Sequence, residues 1–68
     1  MALTVKDVER EVEEIRALAT KDDEAAHSRE DALHARVLGA IARGNPAARE
    51  LAQAAVASKR IDFVRWTA

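Results

Sequence analysis

The chain predicts an all-α fold, a small three-helix arrangement with a short fourth element at its C-terminus. Three observations carry that prediction. Apolar residues recur at intervals of three and four, first at Val5, Val8, Val12 and Ile15. Helix-starting and helix-stopping residues flank these stretches: Thr4, Thr20 or Asp22, Gly44 and Asn45-Pro46. Alanine supplies 16 of 68 residues, and an alanine face permits close helix approach while contributing little apolar area per residue.

Helix one, about residues 4–19, presents Val5, Val8, Val12, Ile15 and Ala19 as one narrow stripe. Thr4 can cap its free N–H groups, and Asp7 suits the positive end of the helix dipole. Glu9, Glu13 and Glu14 make the opposite face acidic. Thr20-Lys21-Asp22-Asp23 breaks the stripe with charge, and either Thr20 or Asp22 can cap a second helix. That helix runs over about residues 23–43, with Ala26, Leu33, Val37, Leu38 and Ile41 on its inner face. Arg43 suits its negative end, and Gly44 suits the left-handed conformation that closes a helix. Asn45 then caps a third helix over about residues 46–58, with Pro46 in the first position, where a missing N–H costs nothing. Its face is Ala47/Ala48, Leu51, Ala54/Ala55 and Ser58. The aromatic segment 59–68 holds Ile61, Phe63, Val64 and Trp66, and its pattern fits a short helix or an extended strand of chain equally.

One domain of 68 residues accounts for the whole chain. Its 49% apolar content overstates the core, because alanine makes up nearly half of it. Leu, Ile, Val and Phe number 15 of 68 residues, close to the level at which a chain fails to offset its own ordering entropy. A chain this short buries only about 60% of its unfolded surface. No Cys is present, so no disulfide or thiolate site supplements the core. The expected remedy is self-association as a homodimer or higher oligomer, with Val5, Val8, Val12, Ile15, Phe63 and Trp66 as the interface anchors. Nothing resembles a membrane span or a signal sequence, so the expected location is cytoplasmic, with no membrane partner.

The net charge of −1 conceals a division: residues 1–34 carry −5 and residues 35–68 carry +4. Opposite fields on two surfaces steer different partners, or neutralise each other within the fold or between copies. The basic half offers Arg49, Lys59, Arg60 and Arg65 as phosphate contacts for a helix-turn-helix-like DNA-binding regulator. Against that reading, Val56-Ala57 stands where the motif's turn usually holds Gly, and the chain as a whole is not basic. Phe63, Trp66, Arg60 and Arg65 are residue types that also anchor protein interfaces.

The chemically richest stretch is Asp23 to His34. On a helix, Asp23, His27, Asp31 and His34 share one side, and imidazole and carboxylate suit zinc, iron or manganese. Ligands from one helix do not close around an ion, so His27, Asp31 and His34 are weak metal candidates. The plainer account has His27 oriented by a neighbouring carboxylate at the core's edge. His27 and a carboxylate also have the components of general acid–base chemistry, but Ser28 faces away and no Cys is present. With no Gly-rich phosphate loop either, no enzyme activity and no cofactor are expected.

The run Asp23-Glu24-Ala25-Ala26-His27 … Glu30-Asp31-Ala32-Leu33 … Val37-Leu38 … Ile41-Ala42 … Gly44, followed by Ile61-Asp62-Phe63-Val64-Arg65-Trp66, resembles small uncharacterised proteins of actinobacteria and their phages. The resemblance covers residues 22–68 and omits helix one. It implies a phage or prophage setting, in which short proteins act by binding a host or phage macromolecule, and it implies no catalytic residue. The leading expectation is a non-enzymatic interaction module that binds itself and an unidentified protein partner, with DNA binding as the alternative.

Overall fold

A computed structural model describes residues 2–65 of the chain. Within them lie three helices, α1 (Val5–Ala19), α2 (Asp23–Ala42) and α3 (Ala48–Val56), followed by a 3-10 turn at Ala57–Arg60. Residues 62–65 are neither helix nor strand, so the C-terminal segment follows no fourth α-helix as far as it is described. Trp66 lies outside the described residues.

The helix boundaries follow from local chemistry. Thr4 and Asp7 form a reciprocal capping box: the Asp7 N–H donates to Thr4 Oγ1 at 3.1 Å and the Thr4 N–H to Asp7 Oδ2 at 3.0 Å. At α2 the cap is Asp22, whose Oδ1 accepts from the Ala25 N–H at 3.1 Å. Thr20 closes α1 instead, its hydroxyl donating to the Ala17 carbonyl. Gly44 takes a φ of 86°, and two bonds close α2 behind it, from Gly44 N–H to Ile41 O and from Asn45 N–H to Ala40 O. That pairing is a Schellman motif, which needs a left-handed residue where glycine stands.

Helix three starts later than its sequence suggests. Asn45 spends its Oδ1 on the Ala47 N–H at 2.8 Å, making a tight Asx turn through Pro46, and its Nδ2 donates to the Leu3 carbonyl at 3.2 Å. The side chain thus ties the α2–α3 connection to the N-terminal segment, and α3 begins at Ala48 without a side-chain cap. At the other end the coil tightens into the 3-10 turn, so α3 stops at Val56 and residue 58 falls in that turn.

Helix α1 packs against α2, α3 and the 3-10 turn. Its stripe Val8, Val12 and Ile15 is buried against Ala26, Leu33, Val37 and Ala40 of α2, Leu51 and Ala55 of α3, and Ile61. The stripe Val8, Val12 and Ile15, expected at an interface, lies within this chain's own core, with Val5 partly buried at its margin. The alanines make this possible: Ala26, Ala40 and Ala55 let the helix axes approach until a few large side chains fill the space between them. Leu38 corrects the expected inner face of this helix, being 67% exposed on the outer flank of α2. The buried positions of α2 step through Ala26, Glu30, Leu33, Val37 and Ala40, and a residue next to Val37 is turned about 100° away from them.

Candidate functional site

The inner stripe of α2 contains one carboxylate, Glu30, with no solvent exposure. A charge so placed must find partners, and it finds them on the C-terminal segment. Ser58, equally buried in the 3-10 turn, donates its hydroxyl to Glu30 Oε2 at 2.6 Å. Arg65 forks onto both carboxylate oxygens, Nε to Oε1 at 2.7 Å and Nη2 to Oε2 at 3.2 Å. The same Nη2 donates to the carbonyls of Ser58 at 2.9 Å and Ile61 at 3.0 Å, and the guanidinium stacks 3.8 Å over the Phe63 ring. Lys59 stands 3.7 Å from Glu30 Oε1. Burial alone would raise the Glu30 pKa, but hydrogen bonds from Arg65 and Ser58, with the charges of Arg65 and Lys59, outweigh it and hold it at about 2. The Arg65 guanidinium is correspondingly held more firmly protonated by its bonds to Glu30.

His34 completes the chain of bonds. Its Nε2 lies 3.0 Å from Ser58 Oγ and 3.3 Å from the Ala55 carbonyl. A carbonyl only accepts, and the Ser58 proton is already given to Glu30, so Nε2 carries the hydrogen and donates. The direction is therefore His34 to Ser58 to Glu30. It is opposite to that of a hydrolytic serine, which gives its proton to histidine. Ser58 cannot be activated here, and the cluster serves to pin the C-terminal segment onto α2.

The same geometry disperses the metal candidates. His27, only 18% exposed, faces Asp31 Oδ2 through Nε2 at 3.4 Å, whereas His34, two turns on, bonds to Ser58 in the 3-10 turn. Among the described residues no three His, Cys, Asp or Glu side chains gather in a metal-sized group. Of the four proposed phosphate contacts, Arg65 is turned inward and Lys59 leans on Glu30, leaving Arg49 and Arg60 exposed on separate elements. The second helix of a helix-turn-helix does not follow α3 as far as residue 65. Phe63 is half-buried beneath Arg65, and the expectation for Trp66 lies outside the described residues.

The exposed apolar surface lies elsewhere. Leu38 and Val56, 67% and 57% exposed, stand on either side of a groove between α2 and α3. Val37, Ile41, Ala52 and His34 complete its walls, which enclose about 240 Å³ and carry no carboxylate, lysine or arginine. Sequence reasoning assigned Leu38 and Ile41 to the core and overlooked Val56. The available signal was that apolar residues of α2 cover more than one stripe, with Leu38, Ile41 and Ala42 falling beside the Leu33–Val37–Ala40 line. No helix among the described residues is long and apolar enough to cross a membrane. No protein-family model, no curated protein and no solved structure matches the chain, so the reading of this surface rests on its geometry.

Proposed function

We propose that the protein is a non-enzymatic interaction module that self-associates through the α2–α3 groove. The observation that carries this reading is the pairing of Leu38 and Val56, two large apolar side chains left in water on one groove. The occupant that fits best is a second copy of the chain. A two-fold contact sets each residue of a face opposite the same face, so charges at its centre would repel. This groove has none in its walls, although 34% of the chain is charged. The resulting dimer is modest in affinity and concentration-dependent. It keeps the self-association expected of the sequence but moves it from the α1 stripe to the α2–α3 groove. A phage or prophage setting, with the dimer presenting its charged outer faces to a protein partner, fits the same reading.

Light scattering over a concentration series tests it. The expected result is a rise from 7.4 kDa toward twice that mass, abolished by a Leu38→Glu/Val56→Glu double variant that keeps its helical circular dichroism. A wild-type chain that stays at monomer mass into the millimolar range, with the groove left to some other partner, overturns it.

A further inference from the structure

A second concavity lies on the other side of α2, where its C-terminal half meets the start of α1. Arg10 of α1, Arg36 of α2 and Arg43 just beyond the end of α2 line it, with Asp7 and Glu11 in the wall, around a volume of about 550 Å³. The carboxylates are already engaged. Asp7 accepts the Thr4 N–H of the capping box, and Glu11 is gripped by Arg29 from outside, at 2.7 and 2.9 Å. Arg36 and Arg43 form no ion pair among the described residues, and Arg10 has only a long contact of 3.5 Å to Asp7. Three arginines thus line one concavity against two carboxylates, both of which feel the charge of Arg36, while Glu11 is also held by Arg29.

The backbone beneath Arg43 is arranged for this. Gly39 sits in the interior of α2, where glycine costs roughly 1 kcal/mol relative to alanine. A Cβ built there would meet Arg43 Nη1 at 3.2 Å, so the missing side chain is the seat on which that guanidinium lies. A helix that needed only its own stability would place alanine at 39.

We infer that the Arg10–Arg36–Arg43 pocket is a binding site for a phosphate group, free or as the monoester of a small hydroxyl-bearing molecule. Guanidinium groups arriving from two helices suit a tetrahedral dianion, which presents acceptors in several directions, better than a planar carboxylate. The engaged carboxylates of Asp7 and Glu11 leave lone pairs on the wall that can accept from sugar hydroxyls.

The test is a titration of the full ¹⁵N-labelled chain, at fixed ionic strength, with inorganic phosphate and separately with ribose 5-phosphate. Saturable shifts confined to the amides of residues 3–11 and 35–43 are expected. An Arg36→Gln/Arg43→Gln variant should weaken binding at least tenfold. An Arg49→Gln/Arg60→Gln variant, which removes the same charge elsewhere, should bind as wild type. Gly39→Ala should weaken binding several-fold while raising helical stability, since the displaced group is the far end of a flexible side chain. Tighter binding of ribose 5-phosphate assigns the ester as ligand, and equal binding assigns free phosphate. Non-saturating shifts, or equal losses in the two double variants, overturn the site.

Discussion

Replacing Arg65 with alanine isolates what the buried carboxylate costs when its partner is taken away. Glu30 would keep the Ser58 hydroxyl and the distant Lys59, but lose both bonds of the guanidinium fork. The carbonyls of Ser58 and Ile61 would lose a donor as well. Stranding one member of a buried ion pair typically costs about 3–5 kcal/mol. Arg65 is one-quarter exposed, so water replaces part of the loss and the lower figure, roughly 3 kcal/mol, applies. A chain of 68 residues has a total stability of roughly 3–10 kcal/mol. The variant therefore sits near the edge of folding, with a thermal midpoint lower by roughly 12–24 °C at neutral pH. Thermal melts followed by circular dichroism measure it, with Lys59→Ala as the control that removes a cation but not the fork. Adding Glu30→Gln to the Arg65→Ala chain should recover more than about 1 kcal/mol, because the charge that could not be solvated is gone. If Arg65→Ala melts within about 0.5 kcal/mol of Lys59→Ala, the network does not hold the C-terminal segment, and the reasoning fails.

Acid should remove the same contribution from the wild-type chain. The Glu30 pKa falls from 4.5 in an unfolded chain to about 2 in the fold. The unfolded state therefore binds the proton more readily, and stability is fully present above pH 4.5 and lost as the pH falls through 2. Over that window urea melts of the wild type should lose roughly 3 kcal/mol more than those of Glu30→Gln, and parallel curves would contradict the assignment. At the helix ends, Asp22→Ala should cost about 1 kcal/mol, whereas Glu24→Ala in the same first turn should cost less than half of that, since only Asp22 caps an N–H. Gly44→Ala should cost about 1 kcal/mol, because an L side chain is strained at a φ of 86° whatever space surrounds it. Chemical denaturation of each variant checks these two.

The parts of the fold that were legible in the sequence are those decided within one or two turns of chain. Thr4, Asp22 and Gly44 act on backbone groups a few residues away, so their types and positions suffice. The α1 stripe is equally local, because Val8, Val12 and Ile15 share one face whatever covers it. What covers it is a long-range matter. The stripe looked unpartnered because alanine was counted as a weak contributor, whereas Ala26, Ala40 and Ala55 give close helix approach. Glu30 was hidden in an acidic run, although its place four after Ala26 and three before Leu33 put it inside the α2 stripe. Its partner lies 35 residues away, a separation that no periodicity encodes. The groove was missed for a related reason. Leu38 is as apolar as Leu33, and only the choice of which stripe of α2 meets α1 separates the buried one from the exposed one.

The fork between Arg65 and Glu30 has a bearing on uniqueness as well as on stability. Two leucines in those places would leave no charge uncompensated, and buried pairs exchanged for apolar residues are often as stable or more so. They would also be indifferent to small displacements, since apolar contact has no preferred direction. A planar guanidinium that must meet two carboxylate oxygens and two carbonyls at once accepts a single position along the chain. Val8, Ile15, Leu33 and Leu51 fill the interior, but their apolar contacts carry no bond direction that would fix one alignment over its neighbours. The ion pair acts as a positional key: it sets the alignment of the final segment against α2, which methyl groups alone would leave free to slide.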